Sequence, residues 1–177
     1  MKIFFVFTLF LSIFSFEGYA NSLELKKHSR SIYIKEKPGW KLGKDLFGMP
    51  FVYFAPKMNG QSSNISFTDT GANLEIDVKS LALGQTSYEN DRKKWAESIG
   101  ASISAFFPYE IATNQYGHKV HQIGFNYSYQ GRKYKEKSYY IECRGKIIHS
   151  KSLRLFENEK HDKDFNDLIS FLDCGGV

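Results

Sequence analysis

With 177 residues, two cysteines and a formal net charge of +5 (24 Lys and Arg against 19 Asp and Glu), the chain has material for one domain with a real core, and too little for two comfortable ones. The basic excess is modest. A solvated, mildly basic surface accounts for it without nucleic acid, and an anionic envelope surface is the one charged partner it would attract weakly.

Lys2 precedes an apolar run from Ile3 to Phe16, short for a bilayer span, and Gly18-Tyr19-Ala20 sets small residues where a signal peptidase reads. The expectation is a signal peptide over residues 1–20, a mature start at Asn21 and export to the periplasm or medium, with no transmembrane segment in the mature chain. An uncleaved anchor is the alternative. No cysteine follows the cleavage point, so the attachment signal of a bacterial lipoprotein is missing.

Ser22 to Lys35 is a polar lead in which Ile32 and Ile34 take strand spacing, and Pro38-Gly39 ends the run. Trp40 follows at once, placed to fold back and close one end of a core. Lys41 to Gly48 reads as a polar connection, with Leu42, Leu46 and Phe47 free to plug gaps. Between Pro50 and Pro56 lies an apolar run that reads as a buried strand, and Asn59-Gly60 signals a turn before a further strand, Asn64 to Thr68, that pairs with it as a hairpin. Asp69 to Ala82 stays open: Leu74, Ile76 and Val78 alternate, but the polar flanks suit a surface excursion equally.

Thr86 and Glu89 stand at capping-box spacing, and Tyr88, Arg92, Trp95 and Ile99 share one face before Gly100. The pattern predicts a helix over Ser87 to Ile99. Ala101 to Glu110, broken by Pro108, reads as a strand or a packed connection. From Tyr116 to Phe156 three antiparallel strands follow. Ile123, Phe125, Tyr127 and Tyr129 fall two apart, then Tyr139, Ile141 and Cys143, then a run through Ile147, Ile148, Leu153 and Leu155, with breaks at Gln130-Gly131 and Arg144-Gly145. Glu157 to Lys163 is a charged loop, and Asp164 to Asp173 carries Phe165, Leu168, Ile169 and Leu172 at helical spacing. The fold class is therefore α+β, an antiparallel sheet with two helices packed on it.

Catalytic constellations are wanting. The five histidines are scattered, and His118 and His121 lie three apart on a strand, pointing to opposite faces and ill placed to share a metal. Neither cysteine has a metal-like neighbour, and no serine elbow or phosphate-binding glycine loop occurs. Asp69, Glu75 and Asp77 form an acidic group that suits a hard cation, but a solvated edge explains it better. No catalytic residue, metal or cofactor is assigned. Arg132, Lys133, Tyr134, Lys135 and Lys137, interleaved with Tyr139 and Tyr140, admit two readings: lysines guarding a sheet edge, or a recognition face for a partner carrying negative charge.

Cys143 shares the parity of Tyr139 and Ile141. Cys174 follows the last turn of a helix whose apolar stripe must dock on the sheet. If that helix covers the face bearing Cys143, the two form a disulfide, as an oxidising compartment favours. Two separate thiols, or an intermolecular bond through Cys174, are the alternatives.

A strand leading into Pro38-Gly39-Trp40, a paired run ending at Asn64-Ile65-Ser66-Phe67, a helix containing Trp95, three long strands ending in Lys146 to Leu155, and a closing helix with Asp164-Phe165 and Phe171 resemble the PsbP-like fold. That superfamily includes photosystem extrinsic subunits, the yeast import factor that binds Ran and bacterial DcrB-type envelope proteins. The resemblance covers residues 30 to 173 and implies an α/β/α sandwich over residues 21–177 that works by binding and assembly, without catalysis. The expected function is thus a non-enzymatic binding or assembly factor of the cell envelope with an unidentified protein partner. Its rivals are a secreted enzyme or toxin with a site built from scattered groups such as His118, His121 and Glu142, and a small-molecule or lipid carrier with a deep apolar pocket.

Overall fold

The computed structural model describes residues 22–27, 30–46, 48–58, 60–69 and 84–175. The expectations on the signal peptide, on Leu74, Ile76 and Val78, and on the side chains of Asp69, Glu75 and Asp77 lie outside these residues. The described residues form nine strands and two helices.

The alternation in the C-terminal half builds the centre of the molecule. Strands β6 (Ser102–Thr113), β7 (Lys119–Tyr129), β8 (Arg132–Cys143) and β9 (Lys146–Leu155) form an antiparallel meander. The β7–β8 and β8–β9 connections are two-residue turns. Gln130 and Gly131 take φ of 49° and 74°, Arg144 and Gly145 take 45° and 77°. Two consecutive left-handed residues match the twist of flanking strands, which is why each turn carries a glycine second.

On the far side of β9 the sheet continues through β5 (Asn64–Asp69), β4 (Met49–Phe54) and β3 (Lys41–Leu46), giving seven strands in the order β3-β4-β5-β9-β8-β7-β6. A separate hairpin, β1 (Ser22–Lys27) with β2 (Arg30–Lys35), lies outside this sheet. Two expectations need correction here, and one open alternative is decided. Lys41 to Leu46 is an edge strand rather than a connection; with one neighbour and an unburied face it has no apolar alternation to betray it. Ser22 to Lys27 is a strand as well. The open question at Ala101 resolves as β6, whose pattern Pro108 and two register shifts blur.

Each face of the sheet takes one helix. Helix α1 (Gln85–Ile99) sets Tyr88 and Trp95 against Phe125 and Trp95 against Tyr127, all edge-on at centroid distances of 5.3–6.4 Å. Its stop at Gly100, in the left-handed region, is as expected. Its start is not: Gly84 holds the N-cap position, no side chain caps, and Thr86 lies within the first turn, while Glu89 accepts a hydrogen bond from Gln85. Ile99 is exposed, so it leaves the stripe.

Helix α2 (Lys160–Ser170) begins within the segment expected to be a charged loop, because Lys160 to Lys163 forms its first turn. Phe165, Leu168, Ile169 and Leu172 are all buried against Tyr53, Ile65, Phe67, Tyr139 and Ile141 and against Leu25, Ile32 and Ile34 of the hairpin. Burial of each large apolar side chain contributes about 1.5–3 kcal/mol, so this layer is the main hydrophobic anchor of the fold. Trp40 closes its end, as expected, with its ring 5.0 Å from Tyr53 and 5.8 Å from Phe165.

The covered face includes Cys143. Cys174 reaches it and the two form a disulfide, Cα atoms 5.7 Å apart, linking the end of the chain to the middle of the sheet.

Candidate functional site

The two faces of β8 carry different chemistry because neighbouring side chains alternate. Lys133, Lys135, Lys137, Tyr139 and Ile141 share the α2 face, and Arg132, Tyr134, Glu136, Ser138 and Tyr140 the α1 face. Arg132, Lys133, Tyr134, Lys135 and Lys137 are therefore not one surface. Tyr134 stacks on Tyr127 at 5.1 Å, on the side away from Lys135 and Lys137. Nor do these lysines guard a sheet edge, since β8 lies between β7 and β9. The edges are β3 and β6.

Helix α2 packs over Ile65 and Phe67 of β5, Ile148 of β9, Tyr139 and Ile141 of β8 and Val120 of β7, and its Asn166, Ile169 and Ser170 side stands beside Gln122 and Lys137. A groove of about 290 Å³ results, walled by Asn166, Ile169 and Ser170 and floored by Val120, Gln122, Lys137 and Tyr139. It continues into a second hollow of about 170 Å³ between Phe107, Glu110, Lys135 and Lys137. Gly124 is required at this floor: a Cβ there would stand 2.4 Å from the Glu136 carbonyl oxygen and 3.0 Å from the Phe107 ring.

The charges in the groove are unevenly matched. Asp162, on the first turn of α2, receives two hydrogen bonds from Arg154 (Nε to Oδ1 at 2.7 Å, Nη2 to Oδ2 at 2.5 Å) and one from Lys135 at 2.7 Å. Burial opposes the charged carboxylate, but these bonds outweigh it and hold Asp162 below the ordinary aspartate value. Arg154 gives both Nη1 donors to the carbonyls of Leu155 and Phe156. Lys137 has no hydrogen bond or ion pair among the described residues. Burial, reinforced by Lys135, lowers its pKa below the ordinary lysine value. Asn166 and Ser170, beside it in the groove, also have no side-chain hydrogen bond among the described residues.

The α1 face holds a second constellation. His121, 2 % exposed, lies between Tyr109 and Glu142. Nε2 of His121 hydrogen-bonds Glu142 Oε1 at 2.6 Å, with the ring N–H donating to the carboxylate, and Nδ1 is hydrogen-bonded to the Tyr109 hydroxyl. His118 points the other way and meets Asp173 at 3.3 Å. Of the scattered trio, His121 and Glu142 come together and His118 does not. The parity of His121 with Ile123, Phe125 and Tyr127 was the available sign that it is buried; Tyr109, which completes the relay, had no sequence signal. Deeper on this face His149 stacks on Tyr140 at 4.6 Å, and burial, with Lys151 and Arg92 nearby, lowers its pKa to about 4. Glu136 is buried beside Lys151, 3.3 Å away. No three potential metal ligands cluster among the described residues, and no described helix is long and apolar enough to cross a membrane.

An antiparallel sheet with one helix on each face, closed by a C-terminal helix that a disulfide fastens to the central strands, is an α/β/α scaffold. Its fold is the PsbP-like fold. The solution structure of cyanobacterial PsbP (CyanoP) from Synechocystis sp. PCC 6803 aligns with 93% of this chain and 99% of its own length, at a TM-score of 0.56 and 12% identity. The crystal structure of LpqN, involved in cell envelope biogenesis of Mycobacterium tuberculosis, aligns with 90% of this chain and 94% of its own, at a TM-score of 0.56 and 12% identity. Neither a protein-family model nor a curated protein matches the sequence.

Proposed function

We propose that the protein is an exported, non-enzymatic binding or assembly factor of the cell envelope, made with a signal peptide over residues 1–20 and acting through protein–protein contacts. The observation that carries this reading is the contrast between its two polar sites. The groove beside α2 presents Lys137, Asn166 and Ser170 uncommitted and open to a partner, whereas His121 is buried with both nitrogens engaged. The disulfide suits an oxidising compartment, and the resemblance to an envelope-biogenesis protein supports the location. The polar lining of the groove favours a peptide over a lipid.

The Tyr109–His121–Glu142 relay favours one rival, a secreted enzyme, since a carboxylate, an imidazole and a hydroxyl in series make up a general-base array. Affinity capture of the oxidised protein from envelope extracts of its source organism, in wild-type and Lys133→Glu/Lys137→Glu forms, tests the proposal. A partner retained by wild type and lost from the charge-reversed form is expected. A hydrolytic activity that disappears with His121→Ala would replace the proposal with the rival.

A further inference from the structure

We infer that the groove between α2 and strands β6–β8 is a peptide site that takes an extended acidic segment of a protein partner, seating a carboxylate on Lys137. This deepens the binding function proposed above and rests on it. The inference starts from the mismatch of charge in the groove. Three bases, Lys135, Lys137 and Arg154, face two acids, Asp162 and Glu110, and Asp162 already accepts three hydrogen bonds from Arg154 and Lys135. Glu110 lies at the far rim, where its carboxylate accepts from the Gln122 amide at 2.6 Å. Lys137 is left between two carboxylates that attract it and bonds to neither. A half-buried ammonium with no bonded partner among the described residues loses hydration without a hydrogen bond in return, so an arriving carboxylate restores what burial removed.

The chemistry selects a monoanion. Phosphate is favoured where an arginine fork is free to grip two oxygens. Arg154, the guanidinium nearby among the described residues, is 4 % exposed and gives four of its five donors to Asp162 and two backbone carbonyls. A dianion on Lys137 would also sit between Asp162 and Glu110. One ammonium flanked by two acids suits a single negative charge.

The shape selects an extended chain. Lys135, Lys137 and Tyr139 line the floor two residues apart along β8, which at about 3.3 Å per residue makes a trough roughly 13 Å long, enough for about four extended residues. Asn166 and Ser170 on the α2 wall offer an amide and a hydroxyl to a passing backbone. Val120, Ile169 and the Phe107 ring supply apolar ground for side chains on either side of the acid.

Nuclear magnetic resonance on the isotopically labelled, oxidised protein tests the site with two defined probes. One is a pool of acetylated, amidated pentapeptides with a central Glu and apolar neighbours; the other is the same pool with Gln at the centre. The Glu pool is expected to shift the amide signals of Val120, Gln122, Lys137 and Asn166. The Gln pool, or Lys137→Met in the protein, should weaken binding roughly tenfold, equivalent to about 1.4 kcal/mol. Asn166→Ala, a helix-surface change, provides a second variant and should weaken binding roughly threefold even if Lys137→Met fails to fold. Equal binding of the Gln pool, shifts confined to other surfaces, or no shift at all would overturn the site. Inorganic phosphate reproducing the Glu-pool shifts would reduce it to a simple anion site and overturn the peptide claim. If the capture experiment still returns a partner while these probes fail, the binding function stands and only the groove is lost.

Discussion

Tyr33 and Asp173 exchange both backbone hydrogen bonds, at 2.7 and 2.9 Å, one residue before Cys174 enters its disulfide. The last turn of the chain is thereby stitched to the β1–β2 hairpin on one side and to β8 on the other, while Asn114 holds the Leu172 carbonyl at 2.7 Å from the β6–β7 turn. The groove wall, Asn166 to Ser170, lies on the helix that runs directly into these residues. Its position depends on this clasp.

Removing the disulfide should therefore loosen both stability and site. Closing a loop of 31 residues constrains the unfolded chain by about 3–4 kcal/mol. The double variant Cys143→Ser/Cys174→Ser should lose about that much in urea unfolding, and hydrogen exchange should quicken first at Leu172 and Asp173. An unchanged unfolding midpoint would show that the clasp holds without the bond.

A pH titration should separate two buried groups. His149 has its pKa depressed from 6.5 to about 4 by burial and by Lys151 and Arg92. Between these values the unfolded chain binds the proton and the folded one does not. Stability is therefore full above pH 6.5, falls as pH drops from 6.5 to 4, and levels off below. The loss attributable to this group is about 2–3 kcal/mol. His149→Phe, which keeps a flat ring on Tyr140, should flatten that part of the curve; a slope that persists would assign it elsewhere.

Asp162 acts in a lower window. Its folded pKa lies below the usual 3.8, so its contribution is complete above that value and lost as pH falls through the folded one. Asp162→Asn would leave the guanidinium of Arg154 buried without its counter-charge, at a cost of about 2–4 kcal/mol, reduced from the fully buried case because Asp162 is 29% exposed. Thermal unfolding of this variant should show a lower midpoint at pH 7 and a weaker acid slope below pH 4.

Tyr109→Phe tests the relay as a structural device. The change strips the hydroxyl from Nδ1 of buried His121 and should cost about 1–3 kcal/mol for the unsatisfied nitrogen. A variant as stable as wild type would mean that water or another group takes its place.

Much of this architecture could be read from alternation. Ile123 through Tyr129 and Tyr139 through Cys143 show period two because each strand has one face under a helix, and Phe165, Leu168, Ile169 and Leu172 show the helical period because α2 has one buried stripe. The parity of Cys143 with Tyr139 was enough to point Cys174 toward it. β3 and β6 were poorly legible for the opposite reason: edge strands owe their residues to solvent and neighbours unequally, and Pro108 with its register shifts breaks the pattern. Parity also shows that Lys135 and Lys137 share a face while Tyr134 does not, but the run was read as one surface. The groove itself was out of reach, since Gln122, Lys137 and Asn166 come from three elements that only tertiary packing brings together. The His121 relay joins β6, β7 and β8 in the same way.

The claim on which the account rests is that the protein works by binding through the α2 side of its sheet. A photo-reactive cross-linker placed in turn at Asn166, on the groove wall, and at Arg144, in the exposed β8–β9 turn, measures this directly in cells that produce the protein. One reproducible adduct with a second protein is expected from position 166, suppressed by Lys137→Glu, and none from position 144. Adducts from position 144 alone, or none from either, would contradict it.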